Sequence, residues 1–196
     1  MQRYRLSSIP PPFFILTITD FHTSPSHPIP GDSKMHLEFP EGHLLQLERN
    51  LMTGKGRWIA DFNESFRDFQ VKNSVFDIFI NGNTRMKGFL LSRIFSFLLN
   101  PNYPVGCFML AIRPSEKFTR TSLHECLEAI RFYMDNQEMR WTWLVILGQD
   151  IEEKIERAVE NIRDETIGVV AVNVKRGLIV NSNSLIGRQA RKFIKV

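Results

Sequence analysis

The chain is short of the features that identify a protein quickly. Its 196 residues include two cysteines, Cys107 and Cys126. Two thiols make no disulfide framework, so the small stapled scaffolds of secreted proteins are excluded. Two buried, reduced thiols in a reducing compartment, the cytoplasm, are the expectation. No apolar run is long enough to span a bilayer, and no membrane partner is expected. The longest, Phe89 to Leu99, is broken by Ser92, Arg93 and Ser96 and reads as a buried helix. No internal repeat is visible. A Walker loop is missing too: Gly82-Asn-Thr-Arg-Met-Lys-Gly88 lacks the closing Gly-Lys-Ser/Thr and the G-x-G-x-x-G spacing. No Ser/His/Asp or Cys/His set is supported, because His124 and Cys126 are i and i+2 on a helix and do not face each other. His22 and His27 are too isolated for a metal site.

Charge of one sign is scarce except at the end of the chain. The net charge is +4, and Arg188, Arg191, Lys192 and Lys195 account for all of it, with no acidic residue from Ser184 to Val196. The pI of 9.2 therefore describes a basic tail on a balanced body. On a helix, Arg188, Arg191 or Lys192, and Lys195 form one stripe, while Ile186, Ala190 and Phe193 take the other side. Such a stripe is either a solvated face or a contact with nucleic acid or an acidic partner.

Proline is concentrated at the other end. Pro10, Pro11, Pro12, Pro25, Pro28 and Pro30 are six of the ten, which predicts a disordered or extended arm over residues 1–34. A single α/β domain over 35–196 follows, a size at which one hydrophobic core suffices. The start does not form a signal peptide: three prolines separate its charged and apolar parts, and no small-residue cleavage site follows. Met35 stands where the composition becomes ordinary and is a second candidate translation start, testable by the mass of the native N-terminus.

The body carries short apolar runs with little alternation. Cys107–Ile112, Trp141–Leu147 and Ile167–Val172 suit strands buried on both faces of a sheet covered by helices. Val75–Ile80 is a further strand, closed by the turn residues Asn81-Gly82-Asn83. Lys175-Arg176-Gly177 reads as a hairpin turn into Leu178–Val180. Leu44, Leu47 and Leu51 mark a helix, and Phe62, Phe66 and Phe69 mark another. Ser122 with Glu125 and Asp150 with Glu153 fit capping boxes for two more helices, whose inner faces carry Leu123, Leu127 and Ile130, then Ile155, Ala158 and Val159. Ser184 can cap the last one. A central mixed β-sheet flanked by helices is the fold class expected.

Four places could carry chemistry. Asp77 lies in a strand between apolar neighbours, sharing a face with Val75 and Phe79, so its carboxylate must be near an edge, hydrogen-bonded, paired or on a metal. Arg113 closes the Cys107–Ile112 strand on the face of Ala111. The glycine-bounded loop carries Arg85 and Lys87 and is a physically reasonable phosphate contact. The basic tail is the fourth.

An aspartate on one strand, then a two-residue-spaced pair of positions ending the next, then helix, strand, helix and a strand pair, resembles the restriction-endonuclease-like superfamily, with its PD-(D/E)-x-K signature. The resemblance covers Val75 to Ile186 and implies metal-assisted phosphodiester hydrolysis. It matches Asp77 to the family's metal-binding aspartate, Ala111 to its acidic ligand and Arg113 to its lysine. Alanine cannot hold a metal, and arginine is too basic for proton transfer. Glu125, on the following helix, is the residue that could substitute for the missing carboxylate. The expectation is a nuclease-like scaffold without an intact metal site and without a cofactor, binding DNA, RNA or a protein partner. Its rivals are an active Mg²⁺-dependent nuclease using Asp77 with Glu125, and an assembly or homo-oligomerisation module.

Overall fold

The computed structural model describes residues 39–53, 60–84 and 103–194, all within one compact unit, His36–Val196. The arm expected over 1–34, the helix expected over Phe89–Leu99, and Arg85, Lys87 and Lys195 lie outside the described residues. The described strands are β1 (Ala60–Val71), β2 (Ser74–Thr84), β3 (Pro104–Ile112), β4 (Trp141–Gly148), β5 (Ile167–Asn173) and β6 (Leu178–Asn181). They form one sheet in chain order. β1, β2 and β3 pair antiparallel, β3, β4 and β5 parallel, and β6 returns antiparallel to β5. Four described helices flank it: α1 (Glu41–Met52), α2 (Arg120–Asn136), α3 (Glu153–Glu160) and α4 (Leu185–Phe193). The mixed α/β sheet is thus the architecture of the protein.

The central strands are buried on both sides, which is why they show no polar alternation. Phe108, Leu144, Ile146, Val169 and Ala171 pack under α2 and α3. Cys107, Met109, Trp143, Val145 and Val172 pack under α1 and α4 on the opposite face. Period two is present, but it divides one apolar core from another rather than core from water. Both thiols are free and buried, and burial pushes the Cys126 thiol up to about 11, so neither ionises near neutrality.

Phe62, Phe66 and Phe69 are not on a helix; they belong to the edge strand β1. Two irregularities give them a helical spacing. The β1–β2 register shifts between Phe62 and Glu64, and Asp68 has φ 48°. The bulge moves Phe66 to the face opposite Phe62, and the left-handed residue keeps Phe69 on the Phe66 side. Phe69 consequently stacks on Phe79 at 4.5 Å, and Phe66 lies 6.0 Å from the same ring. The pair Asp68–Asp77 drops out of the ladder, so strict alternation also fails in β2. Phe76 and Phe79 share one core and Ile78 and Ile80 the other, which corrects the expected grouping of Phe76 with Ile78 and Ile80 around Asp77.

Asn81-Gly82-Asn83 is not a turn: β2 continues to Thr84. Gly82 is required there for a different reason, since a Cβ would come within 2.4 Å of the Asp61 carbonyl oxygen. Of the two expected capping boxes, one is displaced and the other does not form. The N-cap of α2 is Thr119, whose hydroxyl accepts from the Ser122 N–H while the Ser122 hydroxyl accepts from the Thr119 N–H. Ser122 therefore occupies the third helical position, and Glu125 is left as an exposed residue in the helix. α3 begins after Glu152, with no side-chain cap. Ser184 does cap α4, accepting from the Gly187 N–H at 3.1 Å.

Candidate functional site

Asp77 and Arg113 meet at the carboxyl end of β3, a position where open α/β sheets place ligands. Their elements bring them together across 36 residues of sequence because β2 and β3 are antiparallel neighbours. One Asp77 oxygen accepts the Ala111 N–H at 2.7 Å. The other accepts from the Arg113 guanidinium at 2.8 Å. The Asp77 side chain is 11% exposed and that of Arg113 46%. A second guanidinium nitrogen lies 3.8 Å from the Glu116 carboxylate. Asp77 above all, by charge and hydrogen bond, holds the Arg113 cation more firmly protonated than usual; burial opposes it, and Glu116 and Glu41 add less.

This arrangement does not fit a divalent cation. Both Asp77 oxygens already face hydrogen-bond donors, Ala111 offers an N–H rather than a carboxylate, and a permanent positive charge lies against the single acidic ligand. No group of three or more His, Cys, Asp or Glu is placed to share a metal ion among the described residues. Glu125 does not join the pair: no hydrogen bond or ion pair connects it to Asp77 or Arg113. The three candidate residues thus divide into a pair that meets and a third that does not.

Of the basic candidates, Arg188, Arg191 and Lys192 lie elsewhere, where β6 runs into α4. Asn181-Ser182-Asn183-Ser184 alternates strictly there. Ser182 and Ser184 are buried. The Ser182 hydroxyl accepts from the Val169 N–H at 3.0 Å and lies 3.3 Å from the Ser184 hydroxyl. The asparagines turn outward and receive the guanidiniums of the helix: Arg188 donates to Asn183 at 3.3 Å and Arg191 to Asn181 at 3.4 Å. With Glu160 from the end of α3, these four side chains line a cleft of about 450 Å³. Lys192 is exposed on the same helix but is not among the lining residues.

Helix α4 keeps this position because of what lies beneath it. Ala190 and Ile194 are buried against the sheet, and Phe193 stacks on Trp143 at 6.0 Å. Gly168 in β5 lets the helix approach: a Cβ there would lie 2.6 Å from the Ile186 carbonyl carbon and 2.7 Å from the Gly187 nitrogen. Arg188 and Arg191 were singled out by their spacing, while Lys195, the end of the expected stripe, lies outside the described residues. Asn181, Asn183 and Glu160 were not singled out, although the alternating Asn-Ser pattern just before a capped helix was a signal for the first two.

A third arrangement is structural. Glu156 is 5% exposed, and its carboxylate receives Asn173 at 3.2 Å and the Arg176 guanidinium. Arg176 also donates to the Ile151 carbonyl at 3.1 Å. These bonds tie the β5–β6 turn, where Gly177 has φ 59°, to α3.

The chain matches no protein-family model, no curated protein and no solved structure. The fold and the side-chain geometry therefore carry the functional argument.

Proposed function

We propose that this chain is a restriction-endonuclease-like scaffold whose metal centre is replaced by the Asp77–Arg113 ion pair, and that it binds nucleic acid without cutting it. The observation that carries this reading is the full engagement of Asp77, one oxygen on the Ala111 N–H and the other on the Arg113 guanidinium. The ion pair leaves neither Asp77 oxygen free to hold Mg²⁺, and arginine cannot act as a proton-transfer group. The order of strands supports the scaffold: an antiparallel β1–β2–β3 meander followed by parallel crossovers, with the aspartate on β2 and the arginine just after β3.

Binding is assigned to the outer side of α4. Arg188, Arg191 and Lys192 are exposed there, and no acidic residue lies in that helix. Cations near a helix C-terminus also complement its dipole. Aromatic side chains for stacking bases are not part of this face, so phosphate contacts would dominate and sequence preference would be weak.

The test is fluorescence anisotropy of short DNA and RNA strands against the full chain over a range of salt. Three phosphate contacts predict a slope of log K on log salt of about −2 for single strands. Incubation with Mg²⁺ or Mn²⁺ should leave the strands intact. Affinity indifferent to ionic strength would defeat the binding assignment, and cleavage lost in Asp77→Ala would restore the active-nuclease alternative.

A further inference from the structure

The cleft between β6, α4 and the end of α3 has a more specific character than a basic surface. Arg188 and Arg191 are each held by an asparagine oxygen, a neutral acceptor. Their side chains are therefore placed without being neutralised, and each guanidinium retains further N–H donors. Two guanidiniums lining one cleft, neither paired with a carboxylate, match the double charge and three oxygens of a phosphomonoester better than the single charge of an internal phosphodiester. Glu160 lines the same cleft with a carboxylate that accepts no hydrogen bond among the described residues. A carboxylate repels a bare anion but accepts a hydrogen bond from a sugar hydroxyl carried on the same ligand. The cleft, of about 450 Å³, is open to solvent and has room for a phosphate and a ribose.

We propose that this cleft binds a ribonucleotide 5′-phosphomonoester, the phosphate between Arg188 and Arg191 and a ribose hydroxyl on Glu160. It rests on the nucleic-acid reading only for the source of the ligand, which is either the 5′ end of an RNA strand or a free nucleoside monophosphate.

The experiment compares one RNA strand with a 5′-phosphate and with a 5′-hydroxyl, by anisotropy, and adenosine 5′-monophosphate and inorganic phosphate by calorimetry. The phosphorylated strand should bind about tenfold tighter than the hydroxyl strand, in line with charge-assisted hydrogen bonds gained. Arg188→Ala and Arg191→Ala should each bring the two strands to near equality, while Lys192→Ala weakens both and keeps the ratio. Glu160→Gln should strengthen inorganic phosphate relative to the nucleotide. Equal affinity for the two strands, with no binding of the monophosphate, overturns the cleft assignment and leaves general nucleic-acid binding intact. Binding of the monophosphate, lost in Arg191→Ala, with no affinity for either strand, supports the cleft and defeats the nucleic-acid reading. A preference for the phosphorylated strand that survives both arginine substitutions also overturns it.

Discussion

Arg113 and Arg191 are both exposed arginines, yet the fold uses them in opposite ways. Arg113 ends β3 against the carboxylate of Asp77. Arg191 lies on α4 against the amide oxygen of Asn181. A guanidinium on a carboxylate is neutralised and serves the structure. On an amide it is positioned and keeps its charge for a ligand. Arg131 belongs with Arg113: its guanidinium bonds Asp164 at 2.9 Å and Glu128 at 2.7 Å. Charge counting along a sequence treats these arginines alike, and only their partners separate them.

The comparison is most severely broken by moving α4 off the sheet. Gly168→Ala should destabilise the protein by up to about 3 kcal/mol, because the added methyl meets backbone atoms of the helix start rather than a side chain that can yield. Urea unfolding followed by tryptophan fluorescence measures it, and ligand binding at the Arg188–Arg191 cleft should fall in the same variant.

Next comes Asp164, the committed partner of Arg131. Its oxygens accept the Thr166 and Ile167 N–H groups at 2.8 and 2.9 Å, the Thr166 hydroxyl and Arg131. Burial raises its pKa, but those backbone hydrogen bonds together with Arg131 and the Thr166 hydroxyl outweigh it and hold the carboxyl below the usual range. The folded value is depressed, so the stabilisation is complete above the ordinary carboxylate pKa and is lost as pH falls through the folded one. Asp164→Ala should cost about 2 kcal/mol at pH 7. As pH falls below the ordinary carboxylate value of about 4, the gap from the parent protein should shrink, as urea midpoints over a pH series will show. A gap independent of pH would remove the carboxylate from the account.

Arg113→Ala should cost about 1 kcal/mol, since Asp77 keeps the Ala111 N–H but loses its counter-ion. A double-mutant cycle with Asp77→Asn should show coupling between the two, and neither change should alter binding to nucleic acid. The smallest effect on stability is expected at Arg188→Ala and Arg191→Ala, within about 0.5 kcal/mol. A large loss of stability at either would place them in the structural class and collapse the distinction.

The strands β3, β4 and β5 were legible because their apolar runs are short, β-branched or aromatic, and bounded by polar residues. β1 was not, because the bulge near Asn63 and the left-handed Asp68 gave its phenylalanines a spacing of four and three. Helix starts suffered from a different ambiguity. Thr119, Ser122 and Glu125 are spaced by three, so two capping boxes fit the same residues, and backbone geometry selected the earlier one. Asp77 and Arg113 were recognisable as candidates, but their neutralising contact was not, and neither was the part played by Asn181 and Asn183.

Period and composition were enough to place apolar stripes and to name the α/β class, because both depend on residues close together along the chain. Which arginine faces a carboxylate and which faces an amide depends on strand register and helix seating. Those are decided by packing between elements distant in sequence, at Gly168 beneath α4 and between β2 and β3, where a slip of one residue would turn Asp77 away from the Ala111 N–H and Arg113.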